Sequence, residues 1–275
     1  MHFHWNFSAS EILWTLTFAS LLVLLVVLLG RDRVRRYPWF TASMVMMALR
    51  LLASRLLIGR LPQMAAGEVF LAMADLAAII SLLVVIEVAR RAFAAAGRTA
   101  WIVVTLIVLA VGAVVLWRWG PWPSEKTLFA NSTVAYLRFM QLFSQKADLL
   151  ADVLIIQVGL LVVFFGRAFK AGWRSHTQQI AIGLSTASIG QLSVRAIWEA
   201  IATHTTVHNR TDYERVMGLQ AKIYNADTVL YLVVMLWWIA CLWRDEPGTK
   251  GAAADGNSAD AEPTEAPADD GMSAD

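Results

Sequence analysis

Seven stretches of roughly 20 predominantly apolar residues recur along the chain, each ended by a short polar or charged segment. A helix of that length crosses the ~30 Å hydrocarbon core of a bilayer. The stretches cover about 10–30, 38–58, 67–89, 100–119, 133–165, 178–203 and 223–243. The pattern therefore predicts an all-α fold, a polytopic bundle of seven transmembrane helices over residues 1–246. Residues 247–275 are composed of Ala, Asp, Glu, Gly, Pro and Ser with little else. Such a segment has no apolar surface to bury, so a disordered acidic tail is expected there.

The fifth stretch breaks the apolar pattern in an ordered way. Arg138, Gln141, Gln145, Asp148 and Asp152 follow one another at steps of three, four, three and four residues. At ~100° per residue these side chains share an arc of about 80° on a helix. The first half of this helix, about 133–146, reads as interfacial, and the second half as spanning. The line therefore carries two carboxylates into the outer part of a membrane helix, where charge is costly and needs partners.

Composition adds the direction of insertion. Of the 275 residues 58% are apolar and 16% charged, against roughly 45–50% and 25% in soluble domains. Residues 1–10 hold no Lys or Arg, whereas Arg31, Arg33, Arg35 and Arg36 follow the first span. A cleaved signal peptide has the reverse order, so an uncleaved anchor with its N-terminus outside is expected. Seven spans then leave the C-terminus in the cytoplasm, and the inner segments carry 12 Lys and Arg against eight outside. Trp39, Trp101, Trp117, Trp119, Trp122, Trp173 and Trp243 fall near the proposed span ends, as an aromatic belt would. Arg90 and Arg91, with the Arg31–Arg36 cluster, read as topology signals and contacts to anionic lipid.

Several charges lie at matched depth. Arg50 and Asp75 are each about eight residues from the outer ends of consecutive spans, ~12 Å down. Consecutive spans tend to be neighbours, so an Arg50–Asp75 pair is expected. Arg195 has the same depth in the sixth span, with Asp152 or Asp148 as expected partners. Gln191 lies one turn below it, Glu199 one turn above, and Asp227 near the outer end of the seventh span. These residues read in three ways: ion pairs that set helix register, the lining of an outward-facing cavity, or a conduction path.

Other chemistry is sparse. His204 and His208 have a spacing that can hold a metal, but no firm third ligand accompanies them. Solvated loop histidines are the simpler reading, and no metal or cofactor is expected. His176 reads as an ordinary inner-loop residue, and Met44, Met46 and Met47 as packing. The single Cys241 permits no intrachain disulfide. Nucleophile-elbow, zincin, phosphate-loop and dinucleotide motifs are missing from the sequence, so no enzyme is expected. Lys222 precedes the seventh span and is misplaced for a retinal Schiff base. Nothing points to a nucleic acid, and no feature signals an oligomeric state.

The Arg-rich loop before Tyr37-Pro38-Trp39-Phe40, the Leu49-Arg50-Leu51 run and the hydropathy of residues 10–243 resemble seven-span bacterial membrane proteins. More loosely, they resemble the seven-helix sensor modules that precede histidine kinases. That resemblance implies a bacterial inner-membrane receptor or sensor. Because an acidic tail stands where a kinase would follow, its signal would pass to a separate cytoplasmic output protein. A small ion-coupled transporter using the same carboxylates, and a scaffold whose tail recruits basic partners, are the competing expectations.

Overall fold

A computed structural model describes residues 8–57, 60–93, 98–119, 122, 133–165, 175–205 and 209–244. Every regular element among them is an α-helix. The order is α1 (Ala9–Gly30), α2 (Arg33–Arg36), α3 (Pro38–Leu56), α4 (Gln63–Ala92), α5 (Arg98–Arg118), α6 (Thr133–Phe165), α7 (His176–His204) and α8 (Arg210–Trp243). Five described helices, α1, α4, α6, α7 and α8, are long and apolar enough to cross a membrane. Arg50 and Arg55 dilute the apolar run of the 19-residue α3, and the apolar part of α5, Ile102–Arg118, is shorter. The expected acidic tail, 247–275, lies outside the described residues.

Six helices close a ring. α1 packs on α3, α3 on α4, α4 on α6, α6 on α7, α7 on α8, and α8 back on α1. α5 stands outside this ring, packed along its length against α6. Its remaining faces carry exposed Leu106, Ile107, Val114 and Trp117. That agrees with a sequence free of charge between Thr99 and Arg118. Exposed large apolar side chains occur on the outer faces of all seven long helices, far more than a water-facing monomer shows.

Helix ends are set by local chemistry. Ser8 and Glu11 form a capping box at the start of α1, Ser8 Oγ accepting from the Glu11 amide at 3.3 Å and Glu11 Oε2 from the Ser8 amide at 3.2 Å. Asp32, at φ 51°, turns the chain between α1 and α2. Pro38 opens α3, where a missing N–H costs nothing. α8 begins at Arg210 rather than near Ile223: the polar stretch expected as loop is helical. Arg210 Nε donates to Glu214 Oε1 at 3.0 Å, one turn on.

Two ends are finished by charged residues of a neighbouring helix. Glu87 of α4 accepts the Phe40 amide of α3 at 3.0 Å, satisfying a donor that the helix start leaves open. Lys146 of α6 donates to the Leu116 carbonyl of α5 at 3.1 Å and to the Trp119 carbonyl, and lies 4.7 Å from the Trp122 ring centre. Cations at a helix C-terminus also complement its dipole.

One end of the ring, at the start of α3, packs tightly. Tyr37, Phe40, Ile180, Met235, Trp238 and Leu242 are fully buried. Phe40 meets Trp238 edge-on at 5.1 Å, and the Trp238 indole N–H donates to the Gln179 carbonyl at 3.3 Å. Gly183 admits that indole: a Cβ there would lie 2.6 Å from Trp238 Cε2. His176 is buried rather than an ordinary loop residue. It opens α7, and its Nε2 lies 3.0 Å from the Arg244 carbonyl at the end of α8.

Candidate functional site

The ring encloses a cavity of about 170 Å³, room for several waters or a small solute and below the usual ~300 Å³ of drug-sized pockets. Five helices supply its wall. α3 gives Ser43, Met44, Met46, Met47 and Arg50; α4 gives Ala77 and Ser81 above Val84 and Val85. α6 contributes Asp148, Ala151, Asp152 and Ile155, α7 contributes Leu184, Ala187, Ser188 and Gln191, and α8 contributes Tyr231. Helical spacing explains the selection: 148, 152 and 155, and likewise 184, 188 and 191, are steps of four and three on one face.

Below the cavity lies a packed plug of Phe40, Trp238 and Tyr37, with the Tyr37 hydroxyl 2.8 Å from the Thr177 hydroxyl. Above it the polar line of α6 becomes steadily more accessible. Asp152 is buried, Asp148 half-buried, and Gln145, Gln141 and Arg138 are exposed. The cavity therefore opens toward the α6 N-terminus and is sealed at the other end.

Arg195 Nη2 lies 3.7 Å from Asp152 Oδ2, and Arg195 Nη1 also reaches the Gln145 carbonyl at 3.5 Å. The pair is asymmetric: the Arg195 side chain is 33% exposed and that of Asp152 11%. Ser188 places its hydroxyl beside the Asp152 carboxylate. The charges of Arg195, Arg50 and Asp75 all act on Asp148, while Asp148 and Asp227 act on Asp152. Two carboxylates, Asp148 and Asp152, and one guanidinium, Arg50, thus line the cavity, with Arg195, Asp75 and Asp227 close enough to act on them.

The expected Arg50–Asp75 pair does not form. No ion pair joins these residues, and Asp75 Oδ1 is buried without a hydrogen-bond partner. Arg50 instead lines the cavity with Asp148. Equal depth places two groups at one height, but the rotation of each helix decides whether they face each other. Asp75 acts on Asp148 from just outside the cavity wall.

Glu199 belongs elsewhere: it accepts the Trp119 indole N–H at 3.0 Å, tying α7 to the end of α5. Asp227 faces α7, where a Cβ on Gly190 would come within 3.1 Å of its Oδ1. His204 is exposed at the end of α7, and His208 lies outside the described residues. Among the described residues no three His, Cys, Asp or Glu side chains gather to hold a metal.

Two residues, Tyr231 and Lys146, escape a linear reading of the chain. Met44 and Met46 are buried, the packing expected of them, and with Met47 they also border the cavity. Tyr231 also lines it, its hydroxyl 3.9 Å from Met44 Sδ. The available signal was its place one turn after Asp227. Lys146, which caps α5, had no signal at all, because its partners are main-chain carbonyls of another helix.

Charged groups in this protein fall into two kinds. Glu87 and Lys146 make close hydrogen bonds to neighbouring helix ends. Around the cavity, bonding is loose. Asp152 Oδ2 and Asp75 Oδ1 are buried without hydrogen bonds, and Arg50 and Asp148 make no hydrogen bond or ion pair with described residues. A buried polar group left unmet costs ~1–3 kcal/mol.

Compared with known proteins, the chain matches no family model, no curated protein and no solved structure.

Proposed function

We propose that this chain is a seven-span receptor of a bacterial inner membrane, with its N-terminus outside and its C-terminus cytoplasmic. A small polar solute enters the cavity from the outer side, and its binding is passed to a separate cytoplasmic partner. In this reading α3 and α5 span the bilayer together with the five longer helices. The observation that carries it is the unmet polar wall above a sealed inner plug. Arg50 and Asp148 line the space and attract each other with no close hydrogen bond or ion pair between them, while Tyr37, Phe40 and Trp238 close the inner end. The surplus of carboxylates over guanidiniums selects a solute carrying positive charge, with Asp148 as its counter-ion and Gln191 and Ser188 as hydrogen-bonding neighbours.

The test is thermal unfolding of the purified full chain against a panel of small amines and amino acids. One or more solutes should raise the midpoint, and D148N should abolish that rise while leaving the unliganded midpoint near wild type. An unchanged response in D148N and R50A would sink the reading. The same carboxylate surplus favours a second reading, a cation- or proton-coupled carrier. Gradient-dependent uptake into proteoliposomes that fails in D152N would select it over the receptor.

A further inference from the structure

We propose that the inner ends of α3 and α4 form a binding site for one anionic phospholipid, with Arg90 holding the headgroup phosphate. The site is separate from the cavity and rests on the proposed insertion, which puts these helix ends at the inner face of the bilayer. A cleft of about 530 Å³ lies there between the first turn of α3 and the last turns of α4. Its α4 wall is Leu83, Ile86, Glu87, Arg90 and Arg91. Offsets of three, four, seven and eight residues keep these within an arc of about 140°, and the strip rises ~10 Å from Leu83 to Arg90. Along it the chemistry changes from hydrocarbon to cation. A phospholipid at the inner boundary of a bilayer has the same order, acyl chain first and phosphate next.

The opposite wall is Pro38 and Trp39. Ile86 is 52% exposed and Trp39 43%, so the apolar bed is open to whatever surrounds the helices. The basic end is built around Tyr37. Arg91 lies 5.0 Å from its ring centre and 3.9 Å from Glu87 Oε1, and Arg36 lies 5.7 Å from the same ring. Glu87 does not repel an incoming phosphate strongly, because the Phe40 amide and Arg91 already engage its carboxylate. Arg90 is exposed and makes no hydrogen bond or ion pair with any described residue. Its guanidinium is free to bind a phosphodiester with two parallel N–H donors. A basic pocket between spans on the cytoplasmic side is the arrangement that suits an anionic headgroup. A free phosphate would use the cations but not the apolar bed, so the bed identifies a lipid as the occupant.

The experiment is thermal unfolding of the full chain in detergent, titrated with phosphatidylglycerol, with phosphatidylcholine and with water-soluble glycerol 3-phosphate. Phosphatidylglycerol should raise the midpoint saturably, and the other two should not. R90Q, at an exposed and unpartnered site, should fold normally and lower the apparent lipid affinity about five-fold, the effect of one arginine near an anionic surface. R90K, which keeps the charge but not the paired donors, should fall between R90Q and wild type. R60Q, in the turn before the opposite end of α4, should match wild type. Equal effects of the two phospholipids would overturn the proposal, as would wild-type affinity in R90Q. A midpoint rise with glycerol 3-phosphate equal to that with the lipid would replace it with a plain anion site.

Discussion

Replacing Arg195 should destabilise this protein more than replacing Asp152, although the two form one ion pair. At 3.7 Å and an effective dielectric of about 20, their attraction is roughly 4 kcal/mol. A third of the Arg195 side chain is accessible, so screening reduces the coupling to about 1–2 kcal/mol. The single changes differ because their surroundings differ. R195M leaves a buried Asp152 facing Asp148 and Asp227 without its counter-charge. Stranding a buried charge costs ~3–5 kcal/mol in enclosed pairs; with this opening, about 2–4 is expected. D152N removes one of several crowded carboxylates and leaves Arg195 near Asp148, the Gln145 carbonyl and solvent. Its cost should be about 1 kcal/mol or less.

Denaturant unfolding of wild type, both single variants and the double variant gives the cycle directly. In the double variant the cost should fall below that of R195M alone, since the stranded carboxylate is gone. A coupling near zero, or D152N proving the more damaging change, would refute the account of the site as a carboxylate-rich cavity balanced by Arg195.

Two further outcomes test the frame that holds this site. G183A should lower stability by about 1–3 kcal/mol through overpacking against Trp238, despite alanine's better helix propensity, and should alter the near-ultraviolet circular dichroism of the buried indole. A wild-type unfolding midpoint would show that α7 and α8 are not in this close contact. E87A should uncap α3 at a cost of about 1 kcal/mol and speed hydrogen exchange at the Phe40 amide; unchanged exchange there would remove Glu87 from its capping role.

Periodicity and span length belong to the chain itself. Seven apolar runs became seven long helices, with ends within a few residues of the changes in composition, because a helix bonds its own backbone and needs only length and side-chain character. The exception was α8, whose first turns are polar yet helical through local pairs such as Arg210–Glu214. The line from Arg138 to Asp152 was also legible, since a helix converts sequence spacing into a shared face with no help from its neighbours. The Arg195–Asp152 contact was legible for the same reason, a fixed rise per residue bringing both groups to a similar distance from their helix ends.

Rotation was not legible. Arg50 turned from Asp75 toward the cavity with Asp148, Glu199 toward Trp119, and Lys146 toward carbonyls of α5. The packing of six helices in a ring made those choices, through contacts such as Gly183 on Trp238 that couple residues 55 positions apart. A sequence states which groups a helix carries and how high each one sits. Only neighbouring helices decide what each group faces, because azimuth is set by close packing between surfaces far apart along the chain.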